Sequence, residues 1–324
     1  MIARFCTNRE SIRPLLSHHL IGSPGASKVA VFLHGILGSK KNWRTPIKIF
    51  LTRHPDYKCL SIDLRGHGMS SAVMGDNNLD SCVEDLVHLF RDIGVRPTLL
   101  SGHSFGGKVV LKYLSYLMRN SLELPHSSWI LDSLPGIYDV SSSNSDLNSV
   151  LKVFAALRSI PSTFRDRAEA HNYLLQRNLP APICLWLEMN LVECNEDVNS
   201  SPRPLKWAFN LNTVSELFDD FCSQDLWHVV EAFKQYKQQQ KTTDSNQPPQ
   251  IHFVRAGKNS SWTHDIVRRF DTLTQTHSSP TEMMSPTTSP LPSTVRMHVL
   301  PKAGHWVHVD DLEGLMNLLH SHAP

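Results

Sequence analysis

The chain has 324 residues, 40% hydrophobic and 19% charged, enough for one large α/β domain with an inserted segment. The formal charge of +2 comes with no long run of one sign, which argues against an electrostatic footprint for nucleic acid. No apolar run reaches the roughly 18 residues of a membrane span, and six scattered cysteines without a C-x-x-C pair read as reduced thiols of an intracellular, soluble protein.

Residues 1–14 read as an N-terminal arm. Arg4, Arg9 and Arg13 stand there against one acid, Glu10, which suits an ordinary arm of a cytoplasmic protein or a transit segment for a mitochondrion or plastid. The core is expected to begin near residue 15, with a first strand over Leu15–Ile21. Val29–Leu33 is an apolar, β-branched run of the kind buried on both faces of a parallel sheet, and it ends in His34-Gly35. Asn42–His54 has helical character. Lys58–Leu64 is a second buried strand, leading into Arg65-Gly66-His67-Gly68. Asp63, at its end, reads as structural and as a partner for Arg65. Leu79, Val83, Leu86, Val87 and Phe90 share one helical face across Leu79–Ile93. A strand over 97–101, a helix from Lys108 to about Met118 and a strand over Ser128–Asp132 continue the alternation, which predicts a mostly parallel sheet flanked by helices.

After Pro135-Gly136 the alternation stops. Residues 137–218 contain helical stretches (Leu147–Leu157, Arg165–Gln176, Pro182–Leu191) and no clear strand, and read as an inserted helical cap. The second part of the core, 219–324, resumes with a helix over Asp219–Tyr236, a strand over Ile251–Arg255, a helix over Trp262–Leu273, a strand over Val295–Leu300 and a helix over Leu312–His320. It is interrupted by a polar loop at 237–250 and a Ser/Thr/Pro-rich loop at 276–293.

The chemistry-bearing motif is Gly102-His103-Ser104-Phe105-Gly106-Gly107, a G-x-S-x-G placed between strand and helix. Such a turn forces the serine into a strained backbone and holds its hydroxyl clear at a helix N-terminus. A serine hydroxyl needs a base, and the base needs an orienting acid. His305, in Gly304-His305 just past the last strand, is the expected base. His308 is its rival, placed at the start of the next helix. That pair has no carboxylate or cysteine cluster beside it, so no metal and no other cofactor is expected. The oxyanion donors are expected to be the amides of Phe105 and Ile36, with Gly35 letting the loop curl and His34 buttressing it.

These residues carry a resemblance. His34-Gly35, Arg65-Gly66-His67-Gly68, the Gly102–Gly107 elbow and Gly304-His305 resemble the α/β-hydrolase superfamily over about residues 15–320. His34–Ser39 with Asn42-Trp43, Leu131-Asp132 and Ala303–His308 are most similar to the small-esterase branch typified by abhydrolase domain-containing protein eleven. The resemblance implies an α/β-hydrolase fold with an inserted cap, a serine esterase, lipase or thioesterase, and a place in lipid metabolism. The usual acid position, after the strand that follows the cap, reads Ala256-Gly257-Lys258-Asn259-Ser260-Ser261-Trp262 and holds no carboxylate. In the branch named, the acid sits one strand earlier, which implies Asp132. Asp265 is the alternative, and Ser260 is a candidate secondary partner of the histidine or acid.

The activity expected is cleavage of a small-molecule carboxylic ester or thioester through an acyl-enzyme on Ser104. Phe154, Leu157, Leu185 and Trp186 of the cap are candidate acyl-pocket residues. Ser104 at the elbow excludes the dehalogenases and epoxide hydrolases of this fold, which need Asp there; carbon–carbon bond hydrolases and cofactor-free haloperoxidases stay open. A catalytically weak member acting as a small-molecule receptor or interaction protein is the alternative of a different class. The sequence leaves the oligomeric state open.

Overall fold

The computed structural model describes residues 15–139, 146–194, 203–239, 248–274 and 294–324. The N-terminal arm, the loop at 276–293 and most of the loop at 237–250 lie outside the described residues. The elements in chain order are β1 (His18–Gly22), β2 (Lys28–Leu33), α1 (Arg44–Arg53), β3 (Tyr57–Ile62), α2 (Leu79–Asp92), β4 (Leu99–His103), α3 (Phe105–Arg119) and β5 (Ser127–Leu131). Then come α4 (Asp146–Arg158), β6 (Thr163–Phe164), α5 (Arg167–Gln176), α6 (Ala181–Glu188), β7 (Leu191–Glu193), β8 (Leu205–Trp207), α7 (Leu211–Ser223) and α8 (Trp227–Gln239). The chain finishes with β9 (Gln250–Ala256), α9 (His264–Thr274), β10 (Val295–Leu300), the single turn α10 (Val307–Asp310) and α11 (Leu312–His322).

Seven strands form one sheet in the order β1-β3-β2-β4-β5-β9-β10. Only the β1–β3 pair in it is antiparallel. The inner strands are apolar and buried along nearly their whole length because helices cover both faces. One face packs on α2, α3, α7 and α8 through residues such as Leu86, Val109, Val230 and Phe253; the other packs on α1 and α11 through Phe32, Trp129, Leu315 and Leu319. All the parallel strands end at the same edge, so the loops after β2, β4, β5, β9 and β10 converge there.

The segment between β5 and β9 differs from expectation in three ways. It contains a small antiparallel sheet in the order β6-β8-β7, where only helices were expected. Strands of two and three residues carry too little alternation to be seen in sequence. The helix expected over Asp219–Tyr236 is two helices, since α7 ends at Ser223 and α8 begins at Trp227. Asp225 makes that break local, accepting from the Trp227 amide at 3.0 Å. Finally, α7 starts at Leu211 and crosses residue 218, so no element ends at the expected boundary.

Two buried polar contacts fix the joints around the elbow. Lys108, in the first turn of α3, is fully buried and donates to the carbonyls of Gly136 (2.8 Å), Phe221 (2.6 Å) and Gln224 (2.8 Å). Three carbonyls require the three N–H bonds of an ammonium. They tie the exit from β5 and the end of α7 to the elbow helix. Arg65 does not pair with Asp63 as expected. It grips Asp85 of α2 through two bonds, at 2.7 and 2.8 Å, while Asp63 accepts from the Lys40 ammonium, the Lys40 amide (2.8 Å) and the Met69 amide (3.0 Å). The sequence distance of 20 residues between Arg65 and Asp85 hid that pair.

Candidate active site

Ser104 sits between β4 and α3 with φ 51° and ψ −116°, a conformation that L-residues rarely adopt. Gly102 and Gly106 make the turn possible. A Cβ on Gly102 would lie 2.1 Å from the Gly106 carbonyl oxygen, and one on Gly106 would lie 2.7 Å from the carbonyl oxygens of Leu33 and His34. The Ser104 amide is spent on the Leu131 carbonyl at 2.8 Å, which locks the elbow to β5. Its side chain stands at the positive end of α3.

His305 lies on the loop after β10. Its Nε2 accepts from the Ser104 hydroxyl at 3.0 Å, and its Nδ1–H donates to Asp132 Oδ2 at 2.7 Å. The His305 carbonyl accepts from His103 Nε2 at 2.7 Å, so the residue beside the serine also holds the histidine loop in place. Asp132 follows β5 directly, at φ 46°, with its side chain fully buried. Its carboxylate is saturated. Oδ2 takes His305 and the Asn259 amide (2.6 Å), and Oδ1 takes the Ala256 backbone N–H (2.9 Å) and the Trp262 indole N–H (2.7 Å). Four donors fill the four lone-pair sites that a carboxylate offers, which makes its burial affordable.

The sheet order explains how an acid after β5 reaches a histidine after β10. Only β9 separates the two strands, and the loop after β9 supplies Asn259 and Trp262 from between them. Asp265, the alternative acid, opens α9, is 88% exposed and stands 3.8 Å from an Arg268 nitrogen; the carboxylate that meets His305 is that of Asp132. Ser260 is exposed on the loop after β9, and its neighbour Asn259, 7% exposed, donates to the Asp132 carboxylate. The indole of Trp262 was missed, because its distance from Asp132 in sequence leaves no local signal.

The loop after β2 is pinned throughout. His34 donates from Nδ1 to the Gly35 carbonyl (2.8 Å) and accepts at Nε2 from the Leu64 amide (3.0 Å). His67 donates from Nδ1 to the Arg65 carbonyl (2.8 Å) and accepts from the Leu37 amide (3.0 Å). Leu37 is held at φ 57°, and its carbonyl accepts from Asn190 at 3.0 Å. With the Leu37 amide spent on His67, the neighbouring Ile36 amide has no protein acceptor among the described residues, and neither does that of Phe105. Three left-handed non-glycine residues, Leu37, Ser104 and Asp132, therefore cluster at this strand edge, each costing on the order of 1–3 kcal/mol.

The histidines around the site are kept neutral by their surroundings. Burial lowers His34 below its ordinary value, takes His67 to about 3 and His308 to about 4, and holds His103 well below the usual range. His308, the rival base, is buried with its ring 4.7 Å from that of His103 and 5.1 Å from that of Trp43. The hydrogen bond to the Ser104 hydroxyl belongs to His305.

Ser104 and His305 line a cavity of about 980 Å³ at the junction of the strand edge with α4 and α6. Val150, Val153 and Ala156 of α4 face it, with Ile183 and Trp186 of α6 and Trp306. Of the four candidate pocket residues, Trp186 lines it. Phe154 and Leu157 lie on the other face of α4, where Phe154 packs on Phe218 at 5.4 Å, and Leu185 is 59% exposed.

The sequence profile of the alpha/beta hydrolase family matches residues 30–317. The mouse sn-1-specific diacylglycerol lipase ABHD11 is 25% identical over 334 aligned positions, covering 98% of this chain and 90% of that protein. The zebrafish (Danio rerio) protein of the same name is 38% identical over 98 residues, 30% of each chain. Among solved structures, a marine microorganism esterase superposes with a TM-score of 0.69 at 19% identity, over 95% of this chain and 98% of that one. E-2-(acetamidomethylene)succinate hydrolase superposes with a TM-score of 0.63 at 18% identity, over 94% of each. The strand order, the elbow and the matched span together place this chain in the alpha/beta hydrolase family.

Proposed function

We propose that the protein is a carboxylic ester or thioester hydrolase working through an acyl-enzyme on Ser104. The observation that carries this is the unbroken hydrogen-bond chain from the Ser104 hydroxyl through His305 to a saturated, buried Asp132, opening on a largely apolar cavity. In this reading His305 Nε2 takes the hydroxyl proton as Oγ attacks the substrate carbonyl. Asp132 holds the imidazole in the Nδ1–H tautomer and stabilises the imidazolium. The amides of Phe105 and Ile36 receive the oxyanion. His305 then returns its proton to the leaving alcohol or thiol, and water, deprotonated by the same histidine, releases the acid.

The residues between β5 and β9 act as a cap in this reading, with α4 and α6 forming the roof over the acyl group. The cavity volume is at the upper end of the range for ligand pockets. Its apolar lining and the likeness to mouse diacylglycerol lipase both favour an acyl chain of a lipid-like ester. The test is labelling by a fluorophosphonate. Wild type should label at a single site, and Ser104→Ala should not label while keeping its fold. Folded wild type that fails to label would instead support the receptor reading.

A further inference from the structure

We propose that His252, His298 and His322 form a second site, for one divalent transition-metal ion of the zinc type, apart from the Ser104 centre. The three come from β9, β10 and α11, and one ring nitrogen from each lies within 4.8 Å of the others. His252 Nδ1 and His298 Nε2 face each other at 3.0 Å. Zinc–nitrogen bonds of 2.0–2.1 Å in tetrahedral geometry put ligand nitrogens about 3.3 Å apart, so these two already stand near ligating separation. His252 is four residues before Ala256 on β9, about 13 Å along the strand from the amide that serves Asp132.

The surroundings prepare the ligands. His322 Nδ1 donates to the Leu318 carbonyl at 3.0 Å, which fixes its tautomer and leaves Nε2 with the lone pair. A backbone carbonyl on the far ring nitrogen is the usual outer partner of a ligating histidine. Trp129 stacks on His252 (4.1 Å, 12°) and on His298 (5.5 Å, 19°), holding both rings in place. His252 is fully buried, and with Nδ1 turned to the ion its ring proton sits on Nε2, which has no partner among the described residues, a cost that works against tight binding. Burial takes His252 to about 2 and His298 to about 4, so at neutral pH protons do not compete for their lone pairs. Two facing neutral imidazoles hold one proton between them, whereas a cation uses both lone pairs. Arg296, close enough to lower both histidines, acts against a dication, so binding is expected to be weaker than at a thiolate site.

The test is calorimetric titration of Zn²⁺ into chelator-stripped, tag-free protein, with Co²⁺ absorption reporting the geometry. One ion per chain is expected, with a rise in Tm. His322→Gln, in the last turn of α11, and His298→Gln should each weaken binding at least tenfold, with the circular dichroism of the metal-free protein unchanged. His54→Gln removes one member of a separate pair, His54 and His320, whose facing nitrogens are 2.9 Å apart, and should leave binding as in wild type. The proposal is overturned if wild type takes up no ion, if His322→Gln and His298→Gln bind as wild type does, or if binding is lost in His54→Gln instead. These readouts are independent of ester hydrolysis, so failure here leaves the reading of Ser104 untouched.

Discussion

Replacing Asp132 by Asn tests the hydrogen-bond logic of the site with little backbone interference. Asp132 is at φ 46°, a conformation that Asn tolerates well. The carboxylate accepts four hydrogen bonds, two on each oxygen. An Asn side chain offers one oxygen and one NH₂ group. If the NH₂ takes the Oδ2 position, it faces His305 Nδ1–H and the Asn259 amide. If it takes the Oδ1 position, it faces the Ala256 and Trp262 N–H groups. Either way two buried donors lose their acceptor, at about 1–3 kcal/mol each, so unfolding stability should fall by about 2–6 kcal/mol. In the first orientation His305 can recover one of those bonds only by adopting the wrong tautomer, which removes the base, and in both the charge facing the imidazolium is gone. The corresponding change in a serine protease triad lowers kcat by about 10⁴, roughly 5.5 kcal/mol. The assay is steady-state p-nitrophenyl ester hydrolysis, corrected for the folded fraction from urea unfolding of the same sample. A folded variant within about tenfold of wild-type kcat would refute the role given to the carboxylate.

Other perturbations have equally definite outcomes. Gly102→Ala places a methyl group 2.1 Å from the Gly106 carbonyl oxygen, so it should abolish soluble folded protein or cut hydrolysis at least 10²-fold; an active, stable variant contradicts the elbow geometry. Lys108→Met strands three buried carbonyls at the joints of α3, α7 and the exit from β5, and should lower Tm by about 5–10 °C in differential scanning fluorimetry. Acid should unfold the protein early. His67, His252 and His308 have native values of about 3, 2 and 4, while the unfolded chain takes up those protons near pH 6.5. Their contribution is therefore complete above pH 6.5 and is lost as pH falls toward 4, by about 2 kcal/mol for each group at pH 5. A urea midpoint that stays the same between pH 7.5 and 5 would count against neutral, buried histidines. Trp186→Ala enlarges the cavity beside Trp306, 5.7 Å away, and should shift the optimum across a p-nitrophenyl ester series to longer acyl chains; an unchanged optimum moves the acyl site elsewhere.

What the sequence made legible was local. The elbow is a run of six residues whose glycines have steric reasons to be glycine, and the core strands are apolar runs whose ends are marked by polar or glycine residues. The contacts that finish the site were not legible, because they join distant segments. Arg65 meets Asp85 rather than Asp63, and Trp262 reaches across the sheet edge to Asp132. The Asn259 amide reaches Asp132 from the loop after β9, where no periodicity marks which side chain turns inward. The strands between β5 and β9 are two or three residues long, too short for alternation to stand out from the helical stretches around them. The cavity-lining set of that segment was misassigned in part because α4 is apolar on two faces, one packed on α7 and one turned to the cavity. The three-histidine cluster escaped for the same reason as Trp262, its members being 46 and 24 residues apart in sequence.

The central claim is that the Ser104 oxygen becomes acylated during turnover. Rapid-quench mixing with a p-nitrophenyl ester, followed by intact and peptide mass analysis, measures this directly. A mass increase of one acyl group is expected on the Ser104 peptide, formed at least as fast as product and absent from Ser104→Ala. Full turnover with no adduct on that peptide at any quench time, or turnover retained by Ser104→Ala, would contradict the claim.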